Sequence, residues 1–143
     1  MPHATCPFCA IVEGRSAAEI VFQDDSTVAF LDVKPVFAGH VLVVPREHHE
    51  TIVDLPVASI APLFSSVQRI ARAVESGLSA DGTFVAMNNR VSQSVPHLHV
   101  HVVPRRNKDG LRGFFWPRVK YAEGEMVRVG AALREALARL EHP

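Results

Sequence analysis

At 143 residues the chain has the length of one domain, and a protein of that size buries about two-thirds of its extended surface, enough for a continuous core without disulfide staples. Apolar residues make up 48% and charged residues 21%, and no apolar run approaches the roughly 20 residues of a membrane helix, so a bilayer span is excluded. The 15 basic and 15 acidic side chains cancel, which removes any whole-molecule attraction to extended nucleic acid or an anionic membrane.

The opening segment MPHATCPFCAIVEG has neither a basic leader nor an apolar run ending in a small-residue cleavage site, so the expected location is cytoplasmic. Ile20 to Phe22 and Val28 to Leu31, separated by Asp24-Asp25-Ser26, predict two strands joined as a hairpin. Pro35 and Gly39 punctuate a loop, after which Val41 to Val44 reads as a strand buried on both faces and ended by Pro45. From Ser59, an expected N-cap, the apolar positions Ile60, Leu63, Phe64, Val67, Ile70, Ala71 and Val74 predict a long helix closed by Gly77, with Pro62 in its first turn. Thr83 to Met87 predicts a strand, Asn88 to Gln93 a polar turn, and Leu98 to Val103 a strand stopped by Pro104 and paired antiparallel with the former. GLRGFFWPR has no clean period; Phe115 and Trp116 are expected in a core or interface. Met126, Val129, Leu133, Ala136, Leu137 and Leu140 predict a last helix. Two helices and about five strands, grouped around each helix, predict an α+β domain.

Three of the 8 histidines, His97, His99 and His101, alternate with Leu98, Val100 and Val102. An extended chain sends alternate side chains to opposite faces, so the imidazoles share one face and the aliphatics anchor the other. Two constellations compete for such a trio: a three-histidine metal site, or a nucleophile flanked by groups that hold a phosphate. The 2 cysteines, Cys6 and Cys9, have the two-residue gap of a zinc knuckle, of a redox dithiol or of two buried thiols. A four-coordinate zinc would need two more ligands from His3, His48, His49, His97, His99 and His101. The basic residues Arg105, Arg106, Lys108, Arg112, Arg118 and Lys120 face only Asp109, and either border a phosphate-bearing ligand or form solvated loop surface.

HLHVHVV resembles the histidine-triad pattern, and CPFCAIVEG, AFLDVKPVFAGHVLVVPREHH, Asn88-Asn89 and QSVPHLHVHVVPR extend the resemblance to the zinc-containing Hint-like branch of the histidine triad superfamily over about residues 6 to 105. The resemblance implies one α+β domain over residues 1–143, with 106–143 as a C-terminal extension. It further implies a mainly antiparallel five-stranded sheet with a long helix, dimerised through a continuous sheet. His99 resembles the nucleophile, His101 the contact to the transferring phosphoryl oxygens, His97 a buttress and His40 a fourth histidine bonded within the cluster. Phe8, Ile11, Phe30 and Val33 resemble the base enclosure, Asp32 the ribose contact, and Asn88, Gln93 and Ser94 the phosphate-side contacts. Ser92 stands where glycine commonly precedes the glutamine. Cys6, Cys9, His48 and His97 resemble the ligands of one structural zinc per chain, with no catalytic metal required. The implied activity is cleavage at the α-phosphorus of a purine nucleoside phosphoramidate or related conjugate through a nucleotidyl-histidine. Dinucleoside polyphosphate hydrolysis, phosphorolysis, and a nucleotide-binding interaction module with little catalysis are the alternatives.

Overall fold

The computed structural model describes residues 2–111 and 118–141, so Arg112, Phe115 and Trp116 lie outside the described residues, as does the side chain of His3. Residues Met1–Asp109 and Gly110–Pro143 form two compact units. In the first, α1 (Pro2–Thr5) and α2 (Pro7–Val12) precede β1 (Ile20–Gln23), β2 (Thr27–Leu31), β3 (Val41–Pro45), α3 (Val57–Leu78), β4 (Gly82–Ala86) and β5 (Val100–Arg105). The second contains α4 (Glu125–Glu141), whose apolar residues Met126, Leu133, Leu137 and Leu140 are exposed.

The five strands form one sheet in the order β1-β2-β3-β5-β4, every neighbouring pair antiparallel. Strand alternation sorts the core into two layers. Ala29, Val41, Val43, Val100 and Val102 pack with Leu63, Val67, Ile70 and Val74 of α3, while Val28, Phe30, Leu42 and Val44 pack with Phe8 and the two cysteines of the N-terminal helices. β3 is therefore buried along its whole length, as its unbroken apolar run predicts. The register places Phe30 opposite Leu42 and Leu42 opposite His101, one row crossing three strands on the face away from α3. That row is the floor of the functional site.

Several element boundaries differ from expectation, β5 starting at Val100 and not Leu98, β4 running Gly82–Ala86 and β3 taking in Pro45. α2 is an unanticipated helix: Cys6 is its N-cap, the Cys6 sulfur accepts from Cys9 N–H, and Pro7 sits where a missing N–H leaves no intrahelical bond unmade. α3 begins two residues before Ser59, with Pro56 as N-cap, so Pro62 lies inside the helix rather than in its first turn. It ends on Ser79 in the left-handed region, φ 51°, and not at Gly77. Pro104 is a buried member of β5 and does not stop it, because the β3 ladder ends at the Val41–Val102 pair and only β4 continues beside Pro104.

Candidate functional site

The ladder of β5 starts at Val100, so of the triad only His101 is a strand residue, while His97 and His99 lie in the segment leading into it. The alternation holds nonetheless, since Leu98, Val100 and Val102 all enter the α3 core. His97 and His99 are buried on the other side, at 0% and 2% exposure.

Backbone carbonyls assign the protons of two rings. His99 Nδ1 lies 2.7 Å from the His97 carbonyl oxygen, which can only accept; Nδ1 therefore carries the proton and Nε2 of the neutral ring keeps its lone pair. His97 Nε2 lies 2.9 Å from the Pro45 carbonyl oxygen, so there the lone pair falls to Nδ1, on the side of the cysteines. His101 Nδ1 meets His40 Nε2 at 2.9 Å. Burial pushes His101 down to about 4, reinforced by His99 and His40 and opposed by Asp32, and burial lowers His40 as well.

His99 and His101 line a cavity of about 500 Å³. Phe8, Ile11, Phe30 and Val33 line it, with Asp32 and Ser94 at polar positions. Phe8 meets Phe30 edge-on at 5.3 Å and His99 edge-on at 5.1 Å, a wall that fixes the His99 ring. Asp32 Oδ1 accepts from Lys34 N–H at 2.9 Å, and Oδ2 lies 3.7 Å from His40 Nε2. Ala17, Ala18, Lys34, Leu42 and Val95 also line the cavity and escaped the sequence reading. Leu42 reaches the cavity because it stands opposite His101 across the strands, a partnership that requires the register.

Asn88 and Gln93 are not among the residues lining this cavity. Gln93 is held in its own turn: Oε1 accepts from Arg90 N–H at 2.8 Å and Nε2 donates to the Glu50 carbonyl at 2.7 Å. Asn89 Oδ1 accepts from Ile52 N–H at 2.8 Å, which sews the same turn to the segment before α3. Arg90 and Ser92 both have positive φ, 68° and 60°, where glycine is the undemanding residue. In the basic run, Arg105 makes a two-pronged pair with Asp109 and Arg106 donates to the Leu78 carbonyl, so both support the fold.

A second cluster lies behind the triad. The ligand atoms of Cys6, Cys9, His48 and His97 all fall within 4.8 Å of one another. His97 Nδ1 is 3.5 Å from each cysteine sulfur, and His48 Nδ1 is 3.2 Å from Cys9 Sγ. Zn–S and Zn–N bonds at a tetrahedral angle separate sulfur from nitrogen by about 3.5 Å, so the donor set fits a closed structural zinc site. The Pro45 carbonyl on the far nitrogen of His97 supplies the outer hydrogen bond such ligands use. Burial, then the Cys6 hydrogen bond and charge, pushes the Cys9 thiol up to about 11, and a bound dication reverses that preference by stabilising the thiolate. His49 stands outside the cluster, its buried Nε2 3.4 Å from Glu47 Oε2.

An uncharacterised HIT-like protein of Mycobacterium tuberculosis is 37% identical over 143 residues, covering 94% of each chain. The crystal structure of a zinc-bound histidine triad family protein from Mycobacterium smegmatis is 39% identical, covers 97% of each chain and superposes with a TM-score of 0.73. Relatives named for reactions include an adenosine 5'-monophosphoramidase of Candida albicans, 27% identical over 98% of this chain and 96% of its own, an adenylylsulfatase of Arabidopsis thaliana, 32% identical over 74% and 55%, and an asymmetrical bis(5'-nucleosyl)-tetraphosphatase of Schizosaccharomyces pombe, 32% identical over 64% and 52%. The HIT domain model matches residues 13–108, which contain the cavity floor and the whole triad, and the chain belongs to the HIT family.

Proposed function

We propose that the protein is a nucleotide hydrolase of the HIT type that cleaves a purine nucleoside phosphoramidate, or a related conjugate, at the α-phosphorus. The observation that carries this reading is the His99 tautomer: a backbone carbonyl holds Nδ1–H, leaving the Nε2 lone pair to the cavity that the ring lines. The relatives named for reactions differ in the group joined to the nucleotide and share the nucleosyl phosphate part, adenylyl in two of the three named here. That common part is what the cavity suits. Phe8, Ile11, Phe30 and Val33 form an apolar slot for the base and Asp32 Oδ2 an acceptor for ribose hydroxyls.

In the first displacement the Nε2 lone pair of His99 forms a bond to phosphorus while the bond from phosphorus to the leaving group breaks. Water then cleaves the nitrogen–phosphorus bond, returning the lone pair to His99 and releasing a nucleoside monophosphate. Charge gathers on the phosphoryl oxygens in both steps, beside His101 and Ser94. Gln93, tied to Glu50 and Arg90, reaches that centre only by releasing two hydrogen bonds. No metal enters these steps. Zinc at Cys6, Cys9, His48 and His97, one per chain, supplies a scaffold that pins the approach to β5. Dimerisation through a continuous sheet is the assembly the resemblance supplies, with β1 and β4 at the ends of the strand order among the described residues.

Incubation with adenosine 5'-phosphoramidate is the test. Adenosine monophosphate is the expected product, and His99→Ala is expected to lower turnover by at least about 10³-fold. Undiminished turnover by the variant overturns the assignment. Adenosine diphosphate formed in phosphate buffer would instead identify phosphate, not water, as the acceptor.

A further inference from the structure

The loop before β3 reaches the histidine cluster through its backbone. Val36 N–H donates to His40 Nδ1 at 3.1 Å. A peptide N–H cannot accept, so this bond keeps the lone pair on His40 Nδ1 and puts the proton of the neutral ring on Nε2. Asp32 Oδ2, 3.7 Å from that Nε2, favours the same arrangement, because a carboxylate attracts an N–H and repels a lone pair. His40 Nε2 also lies 2.9 Å from His101 Nδ1. With His40 as donor, His101 Nδ1 must accept, and the proton of neutral His101 falls to Nε2. Both rings are buried enough to disfavour their charged forms. The turn that carries the first donor is itself fixed: His40 N–H donates to the Phe37 carbonyl at 3.0 Å and the His40 carbonyl accepts from Asp32 N–H at 2.9 Å.

We infer that the Val36 peptide N–H, acting through His40, is the positioning element that holds His101 as its Nε2–H tautomer and so presents a hydrogen-bond donor to the cavity. The opposite tautomer would turn a lone pair toward the phosphoryl oxygens. His99 and His101 are neighbouring rings on the same side of the chain, 5.0 Å between centroids, yet they require opposite tautomers: a lone pair on Nε2 of one and a proton on Nε2 of the other. The His97 carbonyl fixes the first, and the Val36 amide, two hydrogen bonds away, fixes the second. The use made of the donor rests on the α-phosphorus reading; the tautomer is a property of the ligand-free protein.

The experiment is a long-range proton–nitrogen correlation spectrum of the ¹⁵N-labelled full-length, zinc-loaded protein near pH 7.5, paired with steady-state kinetics on the phosphoramidate. Wild-type His101 is expected to show a protonated Nε2 and a bare Nδ1. Val36→Pro deletes the amide proton and is expected to give mixed His101 tautomers and a fall in kcat, whereas Val36→Ala keeps the donor and the single tautomer. Should Val36→Pro fail to fold, His40 variants decide. The carboxamide of His40→Gln can accept from Val36 and still donate to His101, preserving the tautomer and most of the turnover. The carboxylate of His40→Glu only accepts, moving the His101 proton to Nδ1 and lowering kcat by about 10²-fold with little change in KM. A bare Nε2 on wild-type His101, or identical spectra and kcat for the Gln and Glu variants, overturns the inference. The expected tautomer in a protein with no turnover on any nucleotide conjugate would overturn the function and leave the inference standing.

Discussion

His97, His99 and His101 are alike in sequence and are held by three different partners: the Pro45 carbonyl, the His97 carbonyl and the His40 ring. The alternation in HLHVHVV reveals which rings turn from the α3 layer of the core, because the chain sorts its side chains to opposite sides even before its ladder begins. Which nitrogen each ring uses is invisible there, since Pro45 stands 52 residues from His97 and His40 stands 61 from His101. The electrostatic consequence is measurable. Burial first, then His99 and His40, takes His101 down to about 4, and burial also lowers His40. Between about pH 4 and 6.5 the unfolded chain therefore binds more protons at these positions than the fold does, and stability falls as pH falls through that window. Denaturant unfolding of wild type and His101→Gln at about pH 7.5, 6 and 5 should show a steeper loss in wild type. Parallel losses would mean that the ring titrates in the fold as it does in the open chain.

Among elements, the strands were the most legible, because hairpin turns and apolar runs are local signals, and the register that assembles the cavity floor was the least. The helix ends were misplaced for physical reasons. Ser59 looks like a cap, yet α3 starts two residues earlier without a side-chain cap, and its length and buried face outweigh the bond Pro62 cannot make. Gly77 looks like a terminator, yet Ser79 takes the left-handed position. Ser79→Gly should stabilise the fold by up to about 1 kcal/mol, read as a higher denaturation midpoint. Gly39 is the reverse case: at φ +97° its missing Cβ leaves room for Leu78 and Pro104, and an added methyl would collide with Leu78 Cδ1. Gly39→Ala should cost about 1–3 kcal/mol, chiefly for the left-handed backbone, and weaken turnover as well, since His40 is the next residue. Equal stability of wild type and Gly39→Ala would show that the turn relaxes without the glycine.

At the scale of the whole molecule, one histidine joins the two sites: His97 faces the cysteines with Nδ1, and its carbonyl fixes the tautomer of His99. Metal removal should therefore lower both stability and activity. Freshly purified protein should carry about one zinc per chain, and prolonged chelation should lower the unfolding midpoint; less than about 0.2 zinc per chain would reject the site. The ligand set was legible as a resemblance because the CPFC pair has a characteristic gap, whereas the helix that aims the pair emerged only with the fold. The proposed reaction passes through a covalent bond at His99. Rapid mixing with adenosine 5'-phosphoramidate, an alkaline quench and mass spectrometry of the digested chain should find a transient adenylyl adduct on the peptide bearing His99, at Nε2 of that ring. An adduct on another residue, or full turnover through a phase in which no adduct forms, would contradict it.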